Sequence, residues 1–482
     1  MLFNSIEFAI FLPIVFLLYW FVASRRIKYQ NILLLIASYV FYGWWDWRFL
    51  LLIVFSSLTD YLIGLALART ENSLKRKQLL FTSVFVNIGF LGFFKYYNFF
   101  ADSLSEAFTL FGASLDTQRL SIILPVGISF YTFQTLSYTI DVYRKKLEPT
   151  KDVIAFFCFV SFFPQLVAGP IERATNLIPQ FLKKRVFNYE KGVDGLRQIL
   201  WGLFKKVVVA DNCAFYVNQI FEDSAIHSGS TLFLGAILFA FQIYGDFSGY
   251  SDIAIGTARL FGFNFKQNFA FPYFSRDIAE FWRRWHISLS TWFRDYLYIP
   301  LGGSKVKKSI QVRNVFIVFL VSGFWHGANY TFVVWGALNA IYFLPLMLLD
   351  KNRKHMHVVA QGSFLPSVKE FVSILMTFVF TVLAWVFFRA DSISQAVSYI
   401  SEIMSFSFFK LPSFLNEERM ILSIGFVFML LGIEWIGREK KYALKKIGAN
   451  WPTVIRFGFY YILVLIIFFF GSKGQEFIYF QF

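Results

Sequence analysis

Long apolar runs alternate with short polar segments along the whole chain. Runs at 5–22, 30–45, 49–68, 79–100, 119–140, 207–221, 231–262, 314–328, 331–349, 369–389, 420–436 and 455–471 read as helices for a hydrocarbon core about 30 Å thick. Several are short for an upright crossing, and 231–262 is long enough to be tilted or broken. The pattern predicts an all-α polytopic membrane protein of roughly 11–12 transmembrane helices. Re-entrant or interfacial helices around a central cavity would complete it. No fixed-period repeat and no long linker interrupts the pattern, so residues 1–482 are read as one membrane-embedded domain. The first run starts without a basic n-region and lacks a small-residue cleavage site, so it reads as a span rather than a signal peptide.

The polar segments carry the orientation. Those at 24–30, 69–78, 144–151, 305–313, 351–357 and 437–446 are rich in Lys and Arg with at most one acid each. Segments 101–118 and 221–230 contain acids but no Lys or Arg, and 390–418 sets four acids against Lys410. The two sets alternate, which places the basic loops in the cytoplasm and both termini outside.

Two stretches break the alternation. Residues 153–170 are apolar but basic on both flanks and contain Pro164, Gly169 and Pro170. A re-entrant segment returning to the cytoplasmic side fits them, and non-helical backbone at that depth implies a cavity to receive it. Residues 263–303 are too polar to span. There Trp285, Leu289 and Trp292 follow a helical stripe among Arg283, Arg284 and Arg294, which predicts an interfacial or re-entrant amphipathic helix on the cytoplasmic side.

Composition narrows the class. Hydrophobic residues make up 57% and charged residues 16%, too few charges to cover a water-exposed surface. Mean hydropathy is +0.55. A soluble enzyme, a disordered hub and a disulfide-rich module are excluded. The net charge of +16 sits in the loops between apolar runs, so it reflects orientation and membrane lipid rather than nucleic acid. Cys158 and Cys213 stand among apolar residues with no CxxC spacing and read as buried spectators.

Of the five histidines, His227, His355 and His357 read as solvated loop residues. His326 lies inside an apolar hairpin, thirteen residues past Arg313, or about 20 Å at 1.5 Å per residue. An ionisable side chain at that depth is a functional-site hypothesis by default, set against an interhelical hydrogen bond. Gly323 and Gly327 beside it would admit a ligand or a neighbouring backbone. His286, among Trp and Arg, is either functional or a surface anchor. No HExxH, His/Cys cluster, GxSxG, Walker loop or GxGxxG is present, so no metal site is expected. Gln165, Asp246, Ser248, Ser251 and Asp252 would line the cavity or satisfy helix packing.

The segments LPVGISFYTFQTLSYTIDVYR (124–144), FFPQLVAGPIER (162–173), DFSGYSDIAIGTARLFGF (246–263), FWRRWHISLSTWFRDYLYIPLGG (281–303) and SGFWHGANY (322–330) together resemble the membrane-bound O-acyltransferase family. The resemblance is closest to its bacterial polysaccharide branch and runs in order along the chain. It implies a cavity joining a cytoplasmic donor entrance to an outer acceptor side, with His326 catalytic and His286 as the second motif histidine. It further implies acetyl-CoA as donor with no permanently bound cofactor, a polysaccharide acceptor and an extracytoplasmic partner protein. The bacterial inner membrane is the expected location.

His326 would be the general base. Arg283, Arg284 and Arg294 would hold the donor's phosphates or lipid head groups. Asp246, Ser248, Asp252, Trp325 and Asn329 complete the substrate-binding candidates. The C-terminal segment 474–482 would be an outer docking or packing element. Two other readings compete: D-alanyl transfer to teichoic acid from a carrier protein, and a transporter or flippase.

Overall fold

The computed structural model describes residues 1–112, 117, 119–414, 416–448, 450–471 and 477–478. They are helical, with no strand among them. In chain order the α-helices are α1 (Ile6–Leu17), α2 (Ile27–Gly43), α3 (Arg48–Arg69), α4 (Ser73–Leu91), α5 (Tyr97–Leu110), α6 (Ile128–Tyr143), α7 (Val153–Ser161), α8 (Ala174–Leu182), α9 (Tyr189–Leu203) and α10 (Asp211–Glu222). The order continues with α11 (Gly229–Leu260), α12 (Ile278–Arg284), α13 (Ile287–Phe293), α14 (Lys308–His326), α15 (Tyr330–Leu348), α16 (Val368–Arg389), α17 (Ile393–Ile403), α18 (Glu417–Gly437) and α19 (Thr453–Phe470).

Among the described residues, eight helical stretches are long and apolar enough to cross a membrane. They match eight of the expected runs. The other four are helical as well, but shorter, divided or more charged. α2 and α6 are only 17 and 16 residues long. The run at 207–221 is divided between a π-helical turn, Phe204–Ala210, and α10. The run at 314–328 sits in α14, whose first turns carry Lys308 and Arg313.

The chain separates into two compact units, residues 1–192 with 258–265 and residues 193–257 with 266–482. In the first, Asp60 on α3 is fully buried and accepts from Ser83 Oγ, from Asn87 Nδ2 at 2.7 Å and from Thr139 Oγ1 at 2.9 Å. That network satisfies a carboxyl among apolar neighbours and ties α3, α4 and α6 together. Residues 153–182 form two nine-residue helices around an irregular, buried segment at 162–173. Each helix rises only about 14 Å, less than half a bilayer core. The irregular backbone is satisfied locally: Gln165 Nε2 donates to Phe159 O at 2.7 Å, and Phe163 N to Ser38 Oγ at 3.0 Å.

In the second unit, α14 and α15 pack as a close hairpin. A Cβ on Gly323 would strike Phe332 O, and one on Gly336 would strike Phe319 O. α11 approaches its neighbours just as closely at Gly249, where a Cβ would lie 2.8 Å from Gly202 O.

Candidate active site

His326 is the last residue of α14, at the turn of the hairpin. Counted from Lys308 it stands a rise of about 27 Å along the helix. Only 6% of its surface is exposed. Trp325, Trp335 and Phe388 wall the imidazole, with ring centroids at 4.9, 5.3 and 5.3 Å, each edge-on to it. Trp335 and Phe388 come from α15 and α16, and Trp385 stacks on Trp335 at 5.5 Å. Such a box excludes water and restricts the plane of the ring. The flanking glycines serve the protein itself: Phe332 fills the space beside both Gly323 and Gly327.

His286 is buried too, and Trp325 contacts both histidines: its ring centroid is 6.4 Å from His286 and 4.9 Å from His326. Here the structure corrects the expected amphipathic helix. Residues 278–293 form two seven-residue helices broken at Trp285–His286, because His286 adopts φ +42°, in the left-handed region. Asn268 holds the break. Its Oδ1 accepts from Ser288 N at 3.1 Å and Ser288 Oγ at 2.8 Å, and its backbone carbonyl accepts from Ile287 N at 2.8 Å. The same Oδ1 lies 3.3 Å from His286 Nδ1. Trp285, Leu289 and Trp292 are all buried, so the stripe faces protein rather than a lipid surface. Burial disfavours the charged imidazolium and lowers the His286 pKa to about 3.

The three arginines part company. Arg283 donates to the backbone carbonyls of Asn352 at 2.6 Å and His355 at 2.9 Å. Arg284 donates to Glu280 Oε1 at 2.8 Å and to Ala270 O at 3.1 Å. Both therefore fasten loops to α12. Glu280, 1% exposed, receives Arg276 and Arg284 together. Arg294 stays largely exposed, paired with Asp295 at 2.8 Å, and lines a cavity of about 240 Å³. That cavity also touches Ser304, Asn352 and Arg353 in the basic loops, the side chain of Trp282, and Ser322 on α14. Ser322 is one helical turn before His326.

The acids of α11 are ion-paired. Asp246 lies 2.6 Å from Lys206 and accepts from Ile478 N at 2.8 Å. Asp252 pairs with Lys205 at 2.5 Å and accepts from Gln198 Nε2 at 2.6 Å. Ser248 is buried beside them, and Ser251 accepts from Asn268 Nδ2 at 2.9 Å. Phe477 packs on Phe247 and Tyr250, with centroids at 6.2 and 5.3 Å. The rest of the expected C-terminal element, 474–476 and 479–482, lies outside the described residues. Asn329 caps α15 by accepting from Thr331 N at 3.0 Å and donates to Asp391 O at 2.8 Å. Among the described residues no three His, Cys, Asp or Glu converge as metal ligands.

The site therefore gathers His326, His286 and Trp325, while Arg283, Arg284 and Asn329 act on the scaffold. Asn268, Glu280, Trp335, Phe388 and the lysine pair were not singled out in the sequence. Lys205 and Lys206 were visible as two charges beside an apolar run; Asn268 was one of three amides, with Asn264 and Gln267, in an aromatic stretch.

The family profile of membrane-bound O-acyltransferases matches residues 41–388. The chain belongs to the membrane-bound O-acyltransferase family. This acyltransferase is 40% identical over 427 residues to a probable alginate O-acetylase of Pseudomonas aeruginosa, covering 88% of the chain and 79% of that protein. It is 36% identical to a peptidoglycan O-acetyltransferase of Helicobacter pylori, over 83% of the chain and 79% of the relative. A teichoic acid D-alanyltransferase of Bacillus subtilis is 26% identical over 49% of the chain and 62% of the relative. The protein is a multi-pass membrane O-acyltransferase.

Proposed function

We propose that this enzyme takes acetyl from acetyl-CoA at the cytoplasmic face of the bacterial inner membrane and delivers it for O-acetylation of an extracytoplasmic polysaccharide. The observation that carries the reading is the buried imidazole of His326, boxed by aromatic rings at the far end of α14. Similarity to O-acetylating relatives over most of the chain supports acetyl as the group and a cell-surface glycan as the final acceptor.

A ring nitrogen of His326 takes the proton of an acceptor hydroxyl as that oxygen attacks the thioester carbonyl. The C–S bond breaks, and the proton passes to the departing sulfur, giving an ester and the free thiol of coenzyme A. The cavity from Arg294 and Arg353 to Ser322 would seat the donor, with cations at its mouth and apolar walls within. Water excluded by Trp325, Trp335 and Phe388 would be kept from hydrolysing the thioester. His286, neutral by burial, positions Trp325 rather than carrying charge. A polymer is too bulky for such a cavity, so the enzyme hands acetyl to an extracytoplasmic partner protein that modifies the glycan.

The test is His326→Ala in cells that make the acetylated polymer. Acetyl content should fall by about 10²–10⁴-fold, the usual contribution of general base catalysis, at unchanged membrane protein level. Wild-type acetylation in that variant would remove His326 from the chemistry.

A further inference from the structure

The first unit contains a second polar cavity, of about 490 Å³, within the range of small-ligand sites of about 300–1,000 Å³. Its charged lining residues are Lys183, Lys184, Arg185, Lys191 and Arg259, with no Asp or Glu among the lining residues. Asn176, Gln180 and Asn264 add amide groups, and Trp20 closes one side. Arg185 is the fixed element. It is 8% exposed, and its Nη atoms donate to Gln180 O at 3.0 Å and Asn31 Oδ1 at 2.7 Å. Its Nε is buried and has no hydrogen-bond partner among the described residues. Lys183 and Lys184 are exposed and form no ion pair among the described residues. Concentrated positive charge around a polar concavity calls for an anion with several oxygens.

The surroundings say where that anion comes from. α1 exposes an apolar stripe of Ile6, Ile10, Ile14 and Leu17, continued by Phe21. The stripe leads to Trp20, whose Nε1 donates to Leu260 O at 3.1 Å beside the cavity. Val186 and Phe187, also in the lining, are exposed apolar side chains at the same place. Hydrocarbon-facing helix, indole and basic pocket follow one another in the order of a lipid's chains, ester region and headgroup.

We propose that this cavity binds the phosphate headgroup of an anionic glycerophospholipid whose acyl chains lie along α1. Loop charge places the cavity on the cytoplasmic side, where the basic segment 183–191 belongs. The site is built from the first unit alone, the donor cavity beside α14 from the second, and the proposal does not depend on the acetyl-transfer reading.

The experiment uses the purified, delipidated full chain in a neutral detergent. Its thermal midpoint is followed against added dioleoylphosphatidylglycerol, dioleoylphosphatidylcholine or inorganic phosphate. The expected result is a saturable rise with the anionic lipid alone. Half-saturation should move at least about tenfold higher in a Lys183→Ala, Lys184→Ala, Lys191→Ala variant, as lost phosphate contacts require. A Lys351→Ala, Lys354→Ala, Lys446→Ala variant, which removes equal charge elsewhere, should behave as wild type. If the first triple variant cannot be purified, Lys184→Ala alone is read for a shift in the same direction. No rise with any addition, equal responses to the two lipids, a rise produced by phosphate instead, or equal shifts in cavity and control variants would each overturn the proposal.

Discussion

His286 holds a backbone conformation that most side chains avoid, and its neighbours explain how. Asn268 caps the break with both its side chain and its carbonyl, so the strain is offset locally. Asn tolerates the left-handed region and a β-branched residue does not. His286→Asn should therefore fold with a melting temperature near wild type, whereas His286→Val should lose about 1–3 kcal/mol. Thermal unfolding in detergent distinguishes the two; equal stability would show that φ +42° carries no cost. The same ring gives a pH dependence. Its pKa is about 3 when folded and near 6.5 when unfolded, so the unfolded chain binds the extra proton between those values. Stability is then fully present above about pH 6.5 and falls as pH drops toward 3, by at most about 1.4 kcal/mol per unit. His286→Asn should flatten that limb of the melting curve against pH, and an unchanged slope would assign it to other groups.

Between helices, glycine sets the distance. Gly323, Gly327 and Gly336 let α14 and α15 close until Phe332 and Phe319 occupy the space a Cβ would need. Gly336→Val should destabilise the protein by about 1–3 kcal/mol and lower acetylation with it, because the hairpin carries His326. Gly425→Ala inside α18, where nothing lies within 4 Å, should leave acetylation unchanged and stability equal or up to about 1 kcal/mol higher. The spans, the basic segments and the burial of His326 were legible in the sequence because hydropathy, charge and position in an apolar run are local signals. The break at His286 was not, since Asn268 acts on it from 18 residues away in the chain. Nor was the pairing of Lys205 with Asp252 and of Lys206 with Asp246, which joins charges on separate helices. The glycines around His326 read equally as room for ligand or for backbone until Phe332 was seen in place. Loop charge also fixes a testable side: Ser304 is exposed, so a cysteine there should resist a membrane-impermeant thiol reagent in intact cells. Ready labelling would invert the topology.

At the scale of the whole molecule, the proposed transfer joins two faces of a membrane. The proposed thioester donor would not cross hydrocarbon, and His326 stands about 27 Å along a helix whose first residue, Lys308, pairs with Asp350 in the exposed loops. A bound lipid on α1 would anchor the first unit without taking part in transfer. The family match covers residues 41–388, and the proposed chemistry centres on one aromatic-walled imidazole. Both meet in one measurement on inverted membrane vesicles from polymer-producing cells, which keep extracytoplasmic proteins and polymer in the lumen. Labelled acetyl-CoA is added to the outward cytoplasmic face, and label is counted in lumenal polymer. The account predicts His326-dependent labelling, lost by at least about 10²-fold in His326→Ala vesicles holding the same amount of protein. Polymer labelling that persists in the variant, or that needs acetyl-CoA inside the lumen, would contradict it.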